Sequence, residues 1–228
     1  MNIAIIPARG GSKRIPKKNV KLFSGKPIIA YSILAAKESG LFDTVMVSTD
    51  SKEIAEIAIS YGADIPFLRS DQSASDSSIL RDVLDEVLGR YNKLNMQFDN
   101  VCCILPTAPL LETRDLAESY KILCNSSYNS VVPVVRYSYT IFRSLKIEDG
   151  LLKMIWPENY TKRSQDLIDA YHDAGMFYWY KDAFFAERNN GFGSKTAPYI
   201  IDEDKAQDID TDQDWEIAEK KYKWRNNV

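Results

Sequence analysis

Two stretches of opposite charge hold the residue types that could do chemistry. The first is NIAIIPARGGSKRIPKKN, from Asn2 to Asn19. Gly10 and Gly11 let the backbone turn sharply and approach a ligand, while Arg9, Lys13, Arg14, Lys17 and Lys18 gather cations around the same few residues. Loop amides and cations facing one anion suit a polyphosphate. The run is not a Walker A loop, because GxxxxGK[ST] cannot be fitted, and GxGxxG is also absent. From Met1 to Lys37 there are eight basic residues and no acid, in a chain with 29 Lys+Arg and 32 Asp+Glu, so the positive charge is concentrated. A solvated turn, or a patch for an acidic partner, is the other reading of such a run.

The second stretch is acidic. Between Asp202 and Glu216, eight acids stand against Lys205 alone. Such a run is ordinarily a solvated face or a helix start, and Thr211 or Asp212 would cap a final helix carrying Trp215, Ala218 and Tyr222. Within it, Gln207-Asp208-Ile209-Asp210-Thr211 alternates in strand register. That register predicts Asp208 and Asp210 on one face about 7 Å apart. Oxygen ligands so placed can share a hard cation such as Mg²⁺.

PARGGSKRIPKKN resembles the N-terminal signature of the CMP-sialic acid synthetase (acylneuraminate cytidylyltransferase) family, close to ARxxSKxxPxKN, and DIDT matches that family's C-terminal metal-binding motif. The resemblance implies a loop that wraps the triphosphate of CTP, with Ala8, Arg9, Gly10, Gly11, Ser12, Lys13, Arg14, Lys18 and Asn19 on the nucleotide. RSDQSASD is similar to the family's RPxxLASD-like segment, which adds Arg69 and Asp76; an aspartate before a helix is also commonly just a cap. Arg9, Lys18, Asp208 and Asp210 are then the expected catalytic set, with Mg²⁺ on the two aspartates. The resemblance further implies a Rossmann-like three-layer nucleotidyltransferase fold, CTP and a nonulosonic acid as substrates, and a homodimer formed through an inserted segment.

The elements that must position these residues follow an α/β rhythm. Ile3 to Ile6 is an apolar run stopped by Pro7, a strand buried on both faces. Pro27 opens a helix with Ile29, Ile33 and Ala36 on one face. Thr44 to Ser48 is a second strand with Asp50 at its exit, and a helix capped around Thr49-Asp50-Ser51 follows. Ile65 to Leu68 reads as a further short strand, Ile79 to Tyr91 as a helix, Val101 to Leu105 as a central strand and Thr113 to Cys124 as a helix. The βαβ repetition predicts a mostly parallel central sheet covered by helices. Loops leaving strand carboxyl ends form the ligand crevice of such a sheet, so Thr107, in the stiff Pro106 to Leu110 turn, joins the pocket of Arg9.

From Ser130 the character changes. SVVPVV is strand-like, but residues 136–169 carry short apolar groups, aromatic residues and a Glu148-Asp149-Gly150 turn, which predicts an inserted hairpin. Tyr137, Tyr139, Phe142 and Trp156 are either core of this unit or a partner surface. The expectation is one domain over residues 1–228, with 136–169 as an inserted dimerisation and sugar-contact subdomain.

The acylneuraminate enzymes typically carry a Gln before the Pro-Thr-x-Pro turn and an Arg after its Leu, where this chain has Leu105 and Leu111. His172, the only histidine, replaces an Arg expected to meet the sugar carboxylate. With no triad partner, it fits a binding role better than a catalytic one. KRSQDLIDAYHDAGMFYW and VCCILPTAPLL instead look like the corresponding parts of pseudaminic acid cytidylyltransferases. Leu105, Arg163, Gln165, His172 and Tyr178 are the implied sugar-side residues, although Arg163 and Gln165 also read as hairpin surface.

A net charge of -3, with no basic surplus outside the N-terminal island, argues against a general nucleic-acid binder. No apolar run reaches membrane-spanning length and Arg9 interrupts the N-terminal one, so no membrane partner and a cytoplasmic location are expected. Cys102, Cys103 and Cys124 form neither a disulfide framework nor a zinc spacing. Two other function classes fit part of the pattern: a glycosyltransferase, which also pairs Asp-x-Asp with a nucleotide, and a non-catalytic nucleotide-binding module.

Overall fold

The computed structural model describes residues 1–75, 77–124, 127–186 and 195–227. In chain order its strands are β1 (Asn2–Pro7), β2 (Leu22–Phe23), β3 (Lys26–Pro27), β4 (Thr44–Ser48), β5 (Asn100–Ile104), β6 (Ser130–Arg136), β7 (Leu145–Glu148), β8 (Leu151–Met154), β9 (Tyr171–Asp173), β10 (Phe177–Lys181) and β11 (Thr196–Ile200). The helices are α1 (Ile28–Glu38), α2 (Lys52–Ser60), α3 (Asp71–Ala74), α4 (Leu80–Lys93), α5 (Thr113–Cys124), α6 (Asp182–Ala186) and α7 (Asp212–Asn226).

Seven strands form one sheet in the order β11-β6-β10-β5-β1-β4, with β9 also paired to β6. Strands β1, β4 and β5 are parallel neighbours, as are β6 and β11, and β10 runs antiparallel to both β5 and β6. Among the described residues five strands of this sheet therefore point one way and β9 and β10 are reversed, so the mostly parallel α/β sheet expected from the rhythm is what forms. Its centre is dry because Ile3 through Ile6 of β1 are completely buried. Ala4 and Ile6 pack on one face with α1, α2 and α5; Ile3 and Ile5 pack on the other with Leu84, Val87 and Tyr91 of α4. That is the three-layer arrangement, and alternation along a strand is what feeds two separate cores.

One predicted strand is absent. Residues 65–68 form no ladder, and among the described residues the one isolated bridge beyond β4 joins Met46 and Asp64. Asp64 exchanges backbone hydrogen bonds with Val45 and Val47, and Pro66 lacks the N–H needed to extend the edge. The predicted hairpin is present as β7 and β8, a separate two-stranded sheet turned by Asp149 and Gly150, both at positive φ. Among the described residues, no helix is long and apolar enough to cross a membrane.

A third cluster joins the chain's two ends. Ile15 of the basic loop, Phe23, Ile28, Ile209, Trp215 and Ala218 pack together, so α7 closes on the N-terminal loop and not only on the sheet. Thr211 caps α7 with a reciprocal box: its hydroxyl accepts from the Asp214 N–H, and the Asp214 carboxylate accepts from Thr211. Thr211 is thus the capping residue of the two foreseen.

Candidate active site

The basic loop leaves β1 at the carboxyl edge of the sheet. Ala8 is fully buried, and its N–H donates to the Ser48 carbonyl at 2.9 Å, which ties the loop to the exit of β4. The Gly10 N–H donates to Asp50 Oδ1 at 2.8 Å, and a Cβ on Gly10 would stand 3.2 Å from the Ser51 Cβ. A side chain there would crowd the N-terminus of α2, against which the loop lies. Gly11 meets nothing within 4 Å and keeps its side open. Asn19, buried, donates from Nδ2 to the Arg9 carbonyl at 2.9 Å, so it braces the loop from below. Ser12 is half-buried and Lys13 exposed. Lys17, at φ 53, turns away to a bidentate pair with Glu53.

Arg69 is buried at the β4 exit, where its Nε donates to Ser48 Oγ at 3.0 Å and its Nη2 to the Ser48 carbonyl. Burial pushes its pKa down, opposed by the nearby carboxylates of Asp50 and Glu86; Arg9 adds to the lowering and so lies within electrostatic reach. Arg69, Asp50 and Arg9 are one charged group around the exit of β4. Thr107 is buried in the turn after β5. Asp76 lies outside the described residues.

The acidic segment comes back onto this loop. Lys18 Nζ donates to the Ile209 carbonyl at 2.6 Å and stands 3.7 Å from Asp210 Oδ1, and Arg14 Nη2 is 2.7 Å from the same oxygen. Lys21 pairs with Asp212 at 3.0 Å. The Arg14 pair is exposed and worth about 0–1 kcal/mol. Burial of Ile15 and Ile209 is worth about 1.5–3 kcal/mol each, so the apolar cluster decides the docking and the ion pairs refine it.

Asp208 and Asp210 flank buried Ile209, but the strand register expected for them does not exist. Residues 206–210 pair with no strand; their backbone is satisfied by Lys18 on the Ile209 carbonyl and by Asp214, which accepts from the Asp210 N–H at 3.1 Å. Asp208 rests on Gly175, whose Cβ, if present, would be 3.2 Å from the Asp208 Cβ, and Gly175 has φ +63. A side chain at Gly175 would be strained and would push the carboxylate away. Desolvation by this packing raises the Asp208 pKa above the usual carboxylate range; the Asp210 charge adds to the rise and Lys18 opposes it. Two hard oxygen donors that repel each other suit a divalent cation. No group of three or more metal-ligating side chains exists among the described residues, so a cation here would complete its shell with phosphate and water oxygens.

The turn between the two reversed strands lies against Asp208. The Leu105 N–H donates to the Met176 carbonyl at 2.8 Å, and the Leu105 carbonyl accepts from Ser32 Oγ at 2.7 Å. Tyr178, opposite Cys103 of β5, donates from its hydroxyl to Asp173 Oδ2 at 2.9 Å. Burial, then the Asp173 charge, pushes the Tyr178 pKa up. His172 is exposed, its Nδ1 2.9 Å from the Asp173 carbonyl and its ring 4.9 Å from that of Tyr137. Arg163 makes a bidentate pair with Asp166, and Gln165 lines a groove of about 230 Å³ with Arg136, Tyr137, Tyr139 and Asp169. These contacts thus join the basic loop to the aspartate pair through Lys18, put Arg69 beside Asp50 and Arg9, and set the turn between β9 and β10 against Asp208, whereas the contacts of Arg163 and Gln165 stay within the inserted segment. Asp50 and Asp173 were not foreseen as site residues. Asp50 was visible at a strand exit but looked like part of a cap, and Asp173 became legible only when β9 and β10 were seen to meet.

A family model described as cytidylyltransferase matches residues 3–221. The pseudaminic acid cytidylyltransferase of Campylobacter jejuni is 40% identical over 227 residues, covering 97% of this chain and 96% of its own. The CMP-N,N'-diacetyllegionaminic acid synthase of Legionella pneumophila is 33% identical over 229 residues, covering 96% of this chain and 94% of its own. Among solved structures, CMP:2-keto-3-deoxy-manno-octonic acid synthetase complexed with CTP gives a TM-score of 0.72, covering 100% of this chain and 99% of that one at 15% identity, a likeness of fold alone.

Proposed function

The chain belongs to the cytidylyltransferase family, and on that premise we propose that it transfers CMP from CTP to the anomeric hydroxyl of pseudaminic acid, releasing pyrophosphate. The observation that carries the reading is the meeting of the two charged islands: Lys18 reaches the Ile209 carbonyl between Asp208 and Asp210. A cationic loop facing a carboxylate pair is what a triphosphate accompanied by a divalent cation requires.

In nucleotidyl transfer the acceptor oxygen attacks the α-phosphorus in line and the pyrophosphate oxygen leaves, so the enzyme mainly positions groups and stabilises spreading negative charge. Arg9, Lys18 and the Gly11 amide hold the phosphates, since the Gly10 and Ser12 amides are already donated to Asp50 and to the Gly10 carbonyl. Asn19 and Asp50 keep that loop in shape through the Arg9 carbonyl and the Gly10 N–H. Asp208 and Asp210 would hold Mg²⁺, which when bound offsets phosphate charge. Leu105, His172 and Tyr178 line the acceptor side.

The inserted segment supports a homodimer. Ile147 is 78% exposed and Leu152 69%, and they face each other across β7 and β8, an apolar patch left in water. In this reading residues 136–169 form the dimerisation and sugar-contact subdomain of a single domain, and Arg163 and Gln165 meet the acceptor from there. Pyrophosphate release from CTP, dependent on both a nonulosonic acid and Mg²⁺, tests the proposal; consumption of a CMP-sugar without pyrophosphate release would point to a glycosyltransferase instead.

A further inference from the structure

Asp173 sits where the two reversed strands meet, and both of its carboxylate oxygens are committed. Oδ1 accepts the Gly175 N–H at 2.8 Å and Oδ2 accepts the Tyr178 hydroxyl at 2.9 Å. The first bond closes the turn that carries Gly175 at φ +63, against which Asp208 is packed. The second has a chemical consequence. A carboxylate only accepts hydrogen bonds, so the Tyr178 proton points at Asp173 and the phenolic oxygen is left with lone pairs alone. The site is further held because the neighbouring Ala174 N–H donates to the Pro133 carbonyl at 3.0 Å and the Leu105 N–H to the Met176 carbonyl at 2.8 Å. Both strand ends are thus tied to their neighbours by backbone hydrogen bonds.

We propose that Asp173 is a positioning residue that sets the polarity of the acceptor site: it fixes Tyr178 as a hydrogen-bond acceptor, so the acceptor sugar must present an N–H or O–H donor to the Tyr178 oxygen. This rests on the cytidylyl-transfer reading above. It selects for a sugar acid with an acylamino N–H or a free hydroxyl at that point and against one carrying an ether or a deoxy carbon there. Asp173 acts through Tyr178 and Gly175, while Tyr178 is the group that touches substrate.

The substitution Asp173→Asn inverts the arrangement with almost no change in shape. The amide oxygen still accepts from Gly175, but the amide N–H₂ now donates to Tyr178, whose proton swings into the site and meets the donor of the sugar. The expected result is a rise of about tenfold in KM for the acceptor sugar, the size of one hydrogen bond, with KM for CTP and the unfolding temperature unchanged. Tyr178→Phe should raise the same KM comparably, and the double variant should be no worse than Tyr178→Phe alone, because both act on one bond. Unchanged acceptor KM in Asp173→Asn, a matching rise in KM for CTP, or additive effects in the double variant would overturn the inference alone. A wild-type protein that releases no pyrophosphate with any nonulosonic acid would overturn the cytidylyl-transfer reading and this inference with it.

Discussion

Lys18 and Ile209, 191 residues apart, are joined by a 2.6 Å hydrogen bond from the Lys18 ammonium to the Ile209 carbonyl. The Ile209 side chain packs in the same cluster as Ile15, so the basic loop and the aspartate pair are one mechanical unit. The cation that would hold phosphate also sets where the two carboxylates stand.

Lys18→Ala should therefore do two things. It removes a preorganised charge from the phosphates, roughly a hundredfold in rate, and it leaves the Ile209 carbonyl without its charged donor, about 1–3 kcal/mol of stability. Arg9→Ala should lower the rate by a similar factor. Steady-state kinetics and urea unfolding check both, and full activity in both variants would return the loop to a solvated turn.

Asp208→Asn and Asp210→Asn keep shape and remove a charged oxygen. Each should abolish Mg²⁺-dependent turnover and also the part of CTP's thermal stabilisation that depends on Mg²⁺, since only a bound ligand shifts the unfolding equilibrium. Wild-type rates at limiting Mg²⁺ would remove both residues from the metal site.

The raised pKa of Asp208 has a stability signature of definite sign. Between its ordinary value of 3.8 and the raised one, the folded chain holds a proton that the unfolded chain has lost. Stability then falls as pH rises through that window, and above it the ionised Asp208 is a standing cost. Without divalent cation, Asp208→Asn should be more stable than wild type at pH 7, and the difference should vanish below the ordinary carboxylate range. Thermal unfolding against pH decides this; identical curves would contradict it.

The hairpin makes a separate prediction. Ile147→Asp combined with Leu152→Lys places opposite charges on a cross-strand pair that is already in water in one chain, so the folded chain should tolerate them. A homodimer that buries this pair should dissociate. Sedimentation velocity showing wild type and variant at the same mass would remove the hairpin from the interface.

The fold was legible where a segment's own pattern decides its state. The β1 run, the α1 and α5 faces, the Thr211 cap and the Asp149-Gly150 turn all rest on neighbours in sequence. Residues 65–68 misled because their apolar content is strand-like while Pro66 and an edge position deny them a ladder. The Asp208 register misled for a related reason: alternation with Ile209 buried needs only an extended chain, and here Lys18 and Asp214 supply the hydrogen bonds that a strand would have given. Arg9, Lys18 and the aspartates announced themselves by charge clustering. Asp50 and Asp173 did not: Asp50 works through a long-range contact to the Gly10 N–H, and Asp173 through Gly175 and Tyr178, a pairing made by the turn between β9 and β10 that no recognisable spacing encodes.

The most direct test is the initial rate of pyrophosphate release from CTP and Mg²⁺ with pseudaminic acid and, separately, with N-acetylneuraminic acid. The loss of the expected Gln and Arg around the Pro106 turn, in favour of Leu105 and Leu111, predicts high kcat/KM for pseudaminic acid and poor use of N-acetylneuraminic acid. Comparable efficiency with both, or a preference for N-acetylneuraminic acid, would contradict the assigned acceptor, and no pyrophosphate from CTP with either sugar would contradict cytidylyl transfer itself.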